Sequence, residues 1–387
     1  MVDLIIAGAQ IYTETGVKKN AALALEKNMI AAIGDETNLT KNTAAKILRF
    51  PATYHVIPGF IDLHIHGAYG KDVMDGDFAA LETISESLAR EGTTSFLATT
   101  MTAKPEEIEK VLLNVRNYIQ QQQSVKGAEV LGVHLEGPFL SPKKVGAQRA
   151  DLILEPNIDY LKQWQKKSDN VIKLVTIAPE LPNSLEFIKF LRQQNIVASI
   201  GHTDATYAET NAAIEAGCSH VTHLFNAMRG IHHREPGVAT AALLSDKVSA
   251  ELIADGIHLH PAILQLAIQV KNNDKIILVT DSMRAKCLPD GEYDLGGQSV
   301  AVKQGVARLT DGTLAGGTLK MATAIKNMLQ FTDCQLSDVI RFAAENPAKA
   351  LNIFSHKGSI AERKDADIVV LDEQFNVVLT VCGGRVV

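Results

Sequence analysis

Between residues 56 and 280 the chain repeats one alternation eight times: a short, nearly uninterrupted apolar run, then in most cases a segment with helical periodicity. The runs cover 56–64, 93–99, 129–135, 172–178, 197–201, 220–225, 249–253 and 275–280. Strands that are apolar on both faces suit burial between two layers, as in parallel sheets whose crossovers are helices. Helix signals fill 77–90, 105–121 with Pro105 in its first turn, 184–194, 206–216 and 261–271; those near 159–166 and 239–245 are short or poorly periodic. Eight β/α units predict an α/β fold of the (β/α)8 TIM-barrel type rather than an open sheet.

The flanks have a different texture. Residues 1–54 hold short apolar runs broken by turn pairs such as Thr15-Gly16, Lys27-Asn28 and Gly34-Asp35, and the same pattern returns at 366–372 and 377–381. Neither end has enough strands to bury two sheet faces. The expectation is therefore a small β-sandwich built from 1–54 together with 358–387, attached to a barrel of 55–357. The glycine-rich, polar stretch 283–314, with β-like pieces at 299–302 and 306–309, is placed to cover the rim as a lid. Helical patterns at 319–331 and 337–351 then close the barrel, and the glutamine run 120–123 reads as a helix end.

A formal charge of -6 over 387 residues gives no general attraction to nucleic acid or to anionic membranes. The four cysteines are scattered, the usage of a reducing compartment. No basic segment followed by a long apolar run opens the chain, and no uninterrupted apolar stretch of about 18 residues occurs. A cytoplasmic protein with no membrane partner is expected.

Barrel enzymes carry their chemistry at the C-terminal ends of the strands, and there the sequence repeatedly places metal-ligand and acid/base residue types. The first run ends in His64-Ile65-His66, whose alternate side chains share one face of a strand and can present two imidazoles to one metal. Glu136, His202, His223, His258 and Asp281 end or follow later runs. Singly, Glu136 or Asp281 could be a cap and the histidines satisfied core residues. Independent capping and packing roles would not all fall at strand ends, so the joint reading is a metal site.

These positions, with the C-terminal Gly358-Ser359-Ile360 and the 364–371 strand, resemble the amidohydrolase superfamily along the whole chain. The segments 58–67, 134–139, 201–203, 223–228, 234–237, 255–258 and 314–316 resemble more specifically its N-acetylglucosamine-6-phosphate deacetylase family, with His134-Leu135-Glu136-Gly137-Pro138 and His223-Leu224-Phe225-Asn226-Ala227-Met228 the most specific. The resemblance implies that Glu136, His202 and His223 hold the principal divalent metal. It also implies that Glu136 bridges to a second metal on His64 and His66, where other superfamily members use a carboxylated lysine. One or two ions per subunit are implied, iron or zinc first, with manganese or cobalt also suited to nitrogen and carboxylate ligands.

The same resemblance implies a phosphosugar substrate, deacetylated to glucosamine 6-phosphate and acetate. Asp281 would move the water proton to the departing amine, and His258 would hydrogen-bond the carbonyl or the sugar. Asn226 and Ala227, together with His233 and Arg234, would supply phosphate donors, with Gly316 among the substrate contacts. Arg234 would reach the neighbouring subunit's substrate, which makes a homodimer. Gln148 stands where the family places a sugar-contacting histidine. The alternatives are another C–N hydrolase of the superfamily, acting on a cyclic amide or an N-acyl amino acid, and a barrel scaffold without catalysis.

Overall fold

The computed structural model describes residues 2–41, 43–122 and 127–387. Its centre is a sheet of eight parallel strands in chain order: β1 (Phe60–Ile65), β2 (Thr93–Thr99), β3 (Glu129–Glu136), β4 (Ile172–Ile177), β5 (Val197–Ile200), β6 (His220–Val221), β7 (Ser249–Leu252) and β8 (Ile276–Leu278). Nearly every strand residue is buried, as the continuous apolar runs require. The sheet closes just above β8. There Asp281 donates its N–H to the His64 carbonyl at 2.9 Å, Ile65 pairs with Ser282, and the Thr280 hydroxyl donates to Asp62 at 2.5 Å. The expected α/β barrel is the observed fold.

Helices follow the strands where the periodicity placed them, including the two weak segments, which form Ile158–Lys167 and Gly237–Leu244. The long helix Pro105–Gln121 ends within the glutamine run, whose Gln123 lies outside the described residues. The 337–351 pattern becomes Leu336–Ile340 and Asn346–Ala350 joined by a widened π turn at Arg341–Glu345. Pro347 has no N–H to give to the preceding turn, and the wider turn absorbs that mismatch.

Three expected strands are corrected. The run 56–64 is two strands: His55–Pro58 belongs to the small sheet and only β1 to the barrel. They part at Gly59, where a Cβ would lie 2.2 Å from the Thr94 hydroxyl, so no larger residue fits at the junction. The run 220–225 pairs only at His220–Val221, because His223 and Phe225 take left-handed backbone and lead the chain out of the sheet. The run 275–280 pairs only over Ile276–Leu278.

The termini form two sheets. One of four strands joins Met29–Asp35, Ala21–Glu26, Leu4–Ala7 and Lys46–Arg49; one of six joins Arg385–Val386, Val377–Cys382, Ile368–Leu371, His55–Pro58, Gln10–Thr13 and Gly16–Lys18. Alternation along Ile368–Leu371 divides its side chains between two cores. Ile368 and Val370 face the sandwich interior with Ile6, Leu23 and Val56, whereas Val369 and Leu371 join the barrel core with Ile57. One sheet thus serves both bodies. Lys357, 4% exposed, adds a polar tie, its ammonium 2.6 Å from Asp367, 2.7 Å from Glu129 and 3.0 Å from Asp365.

The stretch expected as a lid is a three-stranded antiparallel sheet, Gly291–Leu295, Gln298–Lys303 and Val306–Leu309. Leu295, Val300, Val302 and Ala307 pack with Met101 and Met283 of the rim loops. Gln298 donates to the Ala147 carbonyl at 2.6 Å, which ties this sheet to the loop after β3. No helix among the described residues is long and apolar enough to cross a membrane.

Candidate active site

At the C-terminal rim two groups of candidate metal ligands share one carboxylate. Nε2 of His202 and Nε2 of His223 both lie 3.1 Å from Oε1 of Glu136 and 3.0 Å from each other. On the other side of the same carboxylate, Oε2 is 3.2 Å from Nε2 of His66 and 3.5 Å from that of His64. Oδ1 of Asp281 completes this second group at 3.4 Å from His64 and 3.3 Å from His66. Tetrahedral ligands about 2.0–2.1 Å from one ion stand roughly 3.3 Å apart, so both groups have the spacing of ligands around a single cation.

The tautomers agree with that reading. His64 donates from Nδ1 to Glu251 at 3.0 Å and His202 from Nδ1 to the Lys144 carbonyl at 3.0 Å, so each turns the lone pair of Nε2 toward the centre. The charge balance agrees as well. Burial opposes charge on His66, yet Asp281 and Glu136 pull its pKa up to about 9, and Glu136, Asp281 and Glu251 likewise hold His64 well above its ordinary value. Glu136 itself, despite its burial, is held well below the usual carboxylate range by His64 and its other imidazole partners. Such a buried set calls for positive charge among lone pairs, which a divalent metal provides.

His64 and Glu136 lie on their strands, but three of the group sit where the chain has turned off its strand. His202, His223 and Asp281 have φ of +46°, +30° and +46°, a region costly for residues with a Cβ. Hydrogen bonds hold the turns in place: the His202 carbonyl accepts from Ser141 at 2.9 Å, Leu224 N–H donates to the Glu251 carbonyl at 2.8 Å, and Gly317 N–H donates to the Asp281 carbonyl at 2.7 Å.

Beneath the rim lies a second layer of polar groups. Glu251 accepts from His64, from His220 at 2.9 Å and from the backbone of His223 at 3.0 Å. His134 sits 2.7 Å from the Thr176 hydroxyl, and burial together with the neighbouring His64 pushes its pKa down to about 3, so it is neutral. Sequence reasoning missed Glu251, although a carboxylate inside the apolar run Ser249-Ala250-Glu251-Leu252 signals a buried partner.

A cavity of about 470 Å³ opens over the ligands. His66, Glu136, His202, His223 and Asp281 line its floor, and Asn226, Ala227, His258 and Gly316 line its walls. His64 is fully buried below. Lys143 and Lys144, which sequence reasoning did not single out, bring positive charge to the same wall. Gln148 also lines the cavity, with its amide on Glu136 at 2.9 Å. His258 is fixed by Asp255, whose carboxylate lies 2.6 Å from Nδ1. His233 and Arg234 are not brought into this cavity: they are exposed on the loop before helix Gly237–Leu244, with the guanidinium 2.6 Å from Nε2 of His233.

Buried imidazoles and two carboxylates, Glu136 and Asp281, gathered at the C-terminal rim of a (β/α)8 barrel, make a centre suited to metal-assisted hydrolysis. A model of the amidohydrolase family matches residues 55–387, and the chain belongs to that family. Within it, the chain is 46% identical over 385 residues to the N-acetylglucosamine-6-phosphate deacetylase of Bacillus subtilis (strain 168), covering 99% of this chain and 97% of the relative. It is also 36% identical over 373 residues to the N-acetylgalactosamine-6-phosphate deacetylase of Escherichia coli O157:H7, covering 96% of each. Among solved structures, a mutant N-acetyl-D-glucosamine-6-phosphate deacetylase from Mycobacterium smegmatis in complex with N-acetyl-D-glucosamine-6-phosphate superposes with a TM-score of 0.92 at 31% identity, covering 100% of this chain and 99% of that one. The N-acetylglucosamine-6-phosphate deacetylase of Thermotoga maritima gives 0.88 at 36% identity, with 99% of both chains covered.

Proposed function

We propose that the chain hydrolyses the acetamide of N-acetyl-D-glucosamine 6-phosphate to D-glucosamine 6-phosphate and acetate. The observation that carries this reading is the pair of ligand groups sharing Glu136 beneath a cavity lined by Asp281 and His258. Glu136, His202 and His223 would hold one divalent ion, and His64, His66, Asp281 and the other oxygen of Glu136 a second. Iron or zinc fits these ligands, as do manganese and cobalt. A divalent ion bound there makes hydroxide available near neutral pH and polarises a carbonyl oxygen.

The chain's own groups do the rest. Burial would raise the Asp281 carboxyl, but His64 and His66 hold it at about 2, so it is ionised; its place on the cavity floor beside His64 and His66 is what suits it to take the proton of the attacking water. It then delivers that proton to the departing amine. His258, oriented by Asp255, hydrogen-bonds the carbonyl or the sugar. Asn226 and Ala227 with the adjacent Lys144 receive the phosphate end. Arg234 and His233, exposed on their loop, complete the phosphate site of a neighbouring subunit in a homodimer, since arginine meets phosphate with two parallel hydrogen bonds. The four cysteines are unpaired, which supports a cytoplasmic setting.

The test is acetate release from the phosphorylated sugar, the unphosphorylated sugar and N-acetyl amino acids. A large preference in kcat/KM for the phosphorylated sugar is expected, and indifference to the phosphate would overturn the assignment. The E. coli N-acetylgalactosamine-6-phosphate relative favours a second reading, the C4 epimer, so that phosphosugar belongs in the same comparison.

A further inference from the structure

Gln148 lies midway along the loop between β3 and helix Ile158–Lys167, 5% exposed, and both ends of its amide are used. Its Oε1 accepts from the backbone N–H of Thr102 at 2.7 Å, and its Nε2 donates to Oε2 of Glu136 at 2.9 Å and approaches Sδ of Met101 at 3.6 Å. The orientation of the amide is dictated rather than chosen. A backbone N–H can only donate and an ionised carboxylate can only accept, so the oxygen must face Thr102 and the NH2 must face Glu136.

The two oxygens of Glu136 therefore differ. Oε1 faces His202 and His223, whereas Oε2 faces His64 and His66 and also receives Gln148. We infer that Gln148 is a positioning residue for the second metal site: it fixes the rotation of the Glu136 carboxylate and thereby presents Oε2 to the His64–His66–Asp281 group. A carboxylate oxygen has two lone-pair directions, so one can take the amide proton while the other points at a cation. The backbone of Thr102 anchors the amide and so links the loop after β2 to the shared ligand. Without Gln148 the carboxylate can rotate about its last bond, and Oε2 leaves the position the second group requires.

The inference rests on the metal-dependent reading of the site, and metal binding measured without substrate separates the two. The variants are Gln148→Leu, which keeps the bulk and removes donor and acceptor, and Gln148→Glu, which keeps the shape but sets a carboxylate against Oε2. Both are titrated with zinc as metal-free protein, alongside the unaltered chain. The expected result is two classes of site in the unaltered chain, with the weaker class losing roughly 10–100-fold in affinity in both variants while the tighter class holds. Thermal melting of the metal-free proteins should differ little, and the deficit in kcat should close as zinc is raised. Unchanged isotherms with a raised KM would make Gln148 a sugar contact and overturn the inference, as would a single class of site in the unaltered chain. No zinc binding in any of the proteins would instead overturn the metal-dependent reading itself.

Discussion

Nδ1 of His64 stands 3.0 Å from Oε2 of Glu251, and neither side chain touches solvent. The same carboxylate also takes His220 and the backbone of His223, so one residue of β7 orients ligands from β1 and from the turn after β6. Glu251→Gln should weaken metal binding by about 10–100-fold, because an amide has one acceptor oxygen and sets an NH2 donor where the carboxylate had its second. A competition titration against a chromogenic chelator measures this, and unaltered affinity would remove Glu251 from the role.

Asp281 and His202 should fail differently. Asp281→Asn keeps the Glu136–His202–His223 group and should retain at least one metal while losing about 100–10,000-fold in kcat, the range of a lost proton-transfer group. His202→Ala should lose both metal and turnover. Metal analysis beside steady-state rates separates them, and near-normal turnover in Asp281→Asn would disprove its assigned part.

Arg234→Ala should raise KM for the phosphosugar by roughly 10–100-fold, the loss of a charge-assisted contact of about 1.5–3 kcal/mol, and leave the unphosphorylated sugar unaffected. If the arginine acts across a dimer, mixing Arg234→Ala subunits with Asp281→Asn subunits regenerates some intact sites, about a quarter of the total at equal proportions. No recovery on mixing would place Arg234 in its own subunit's site.

His258 carries a pH signature. Burial lowers its pKa, but the Asp255 carboxylate more than offsets this and the net shift is upward, helped by Asp281 and opposed by Arg308. A histidine raised on folding adds stability that is complete below its unfolded value of about 6.5 and is lost as pH climbs through the folded value. Asp255→Asn leaves burial to act with little opposition, so the ring should titrate lower than in the unaltered chain. Its NMR titration curve reads this directly; an unmoved midpoint would mean that Asp255 does not set the charge.

Lys357→Met should cost about 3 kcal/mol, because it leaves Asp367, Glu129 and Asp365 clustered without their cation. Glu129 is partly exposed, which keeps the figure at the low end of the range for buried pairs. Adding Asp367→Asn should recover part of the loss. Urea unfolding of both variants is the measurement, and a single-variant change under about 0.5 kcal/mol would contradict the tie.

The barrel was legible because its strands are apolar on both faces and its helices on one, and such patterns survive in the one-dimensional string. The candidate ligands were legible because they fall at or just beyond strand ends, and the fold brings them together. What pattern reading could not see is where pairing stops. His55–Pro58 and β1 read as one apolar run, and only the small residue at Gly59 beside Thr94 divides them. Likewise 222–225 is as apolar as a strand, but left-handed turns at His223 and Phe225 take it out of register. The orienting residues Glu251 and Gln148 act through contacts between distant segments, and a single sequence carries no trace of which segments meet. Arg234 was named from resemblance, and it sits outside the cavity, where no local pattern could explain it.

The six-stranded sheet sets His55–Pro58 between Gln10–Thr13 and Ile368–Leu371. During synthesis the first two meet early, but the third emerges some 310 residues later, roughly 15–60 s at ordinary elongation rates. For that interval the nascent chain exposes an unpaired strand edge, with Val56 on one face and Ile57 on the other both lacking the Ile368–Leu371 strand that covers them. The part of the protein made first is therefore finished last, and a ribosome-bound chain stopped short of residue 368 should be the form that holdase chaperones recognise.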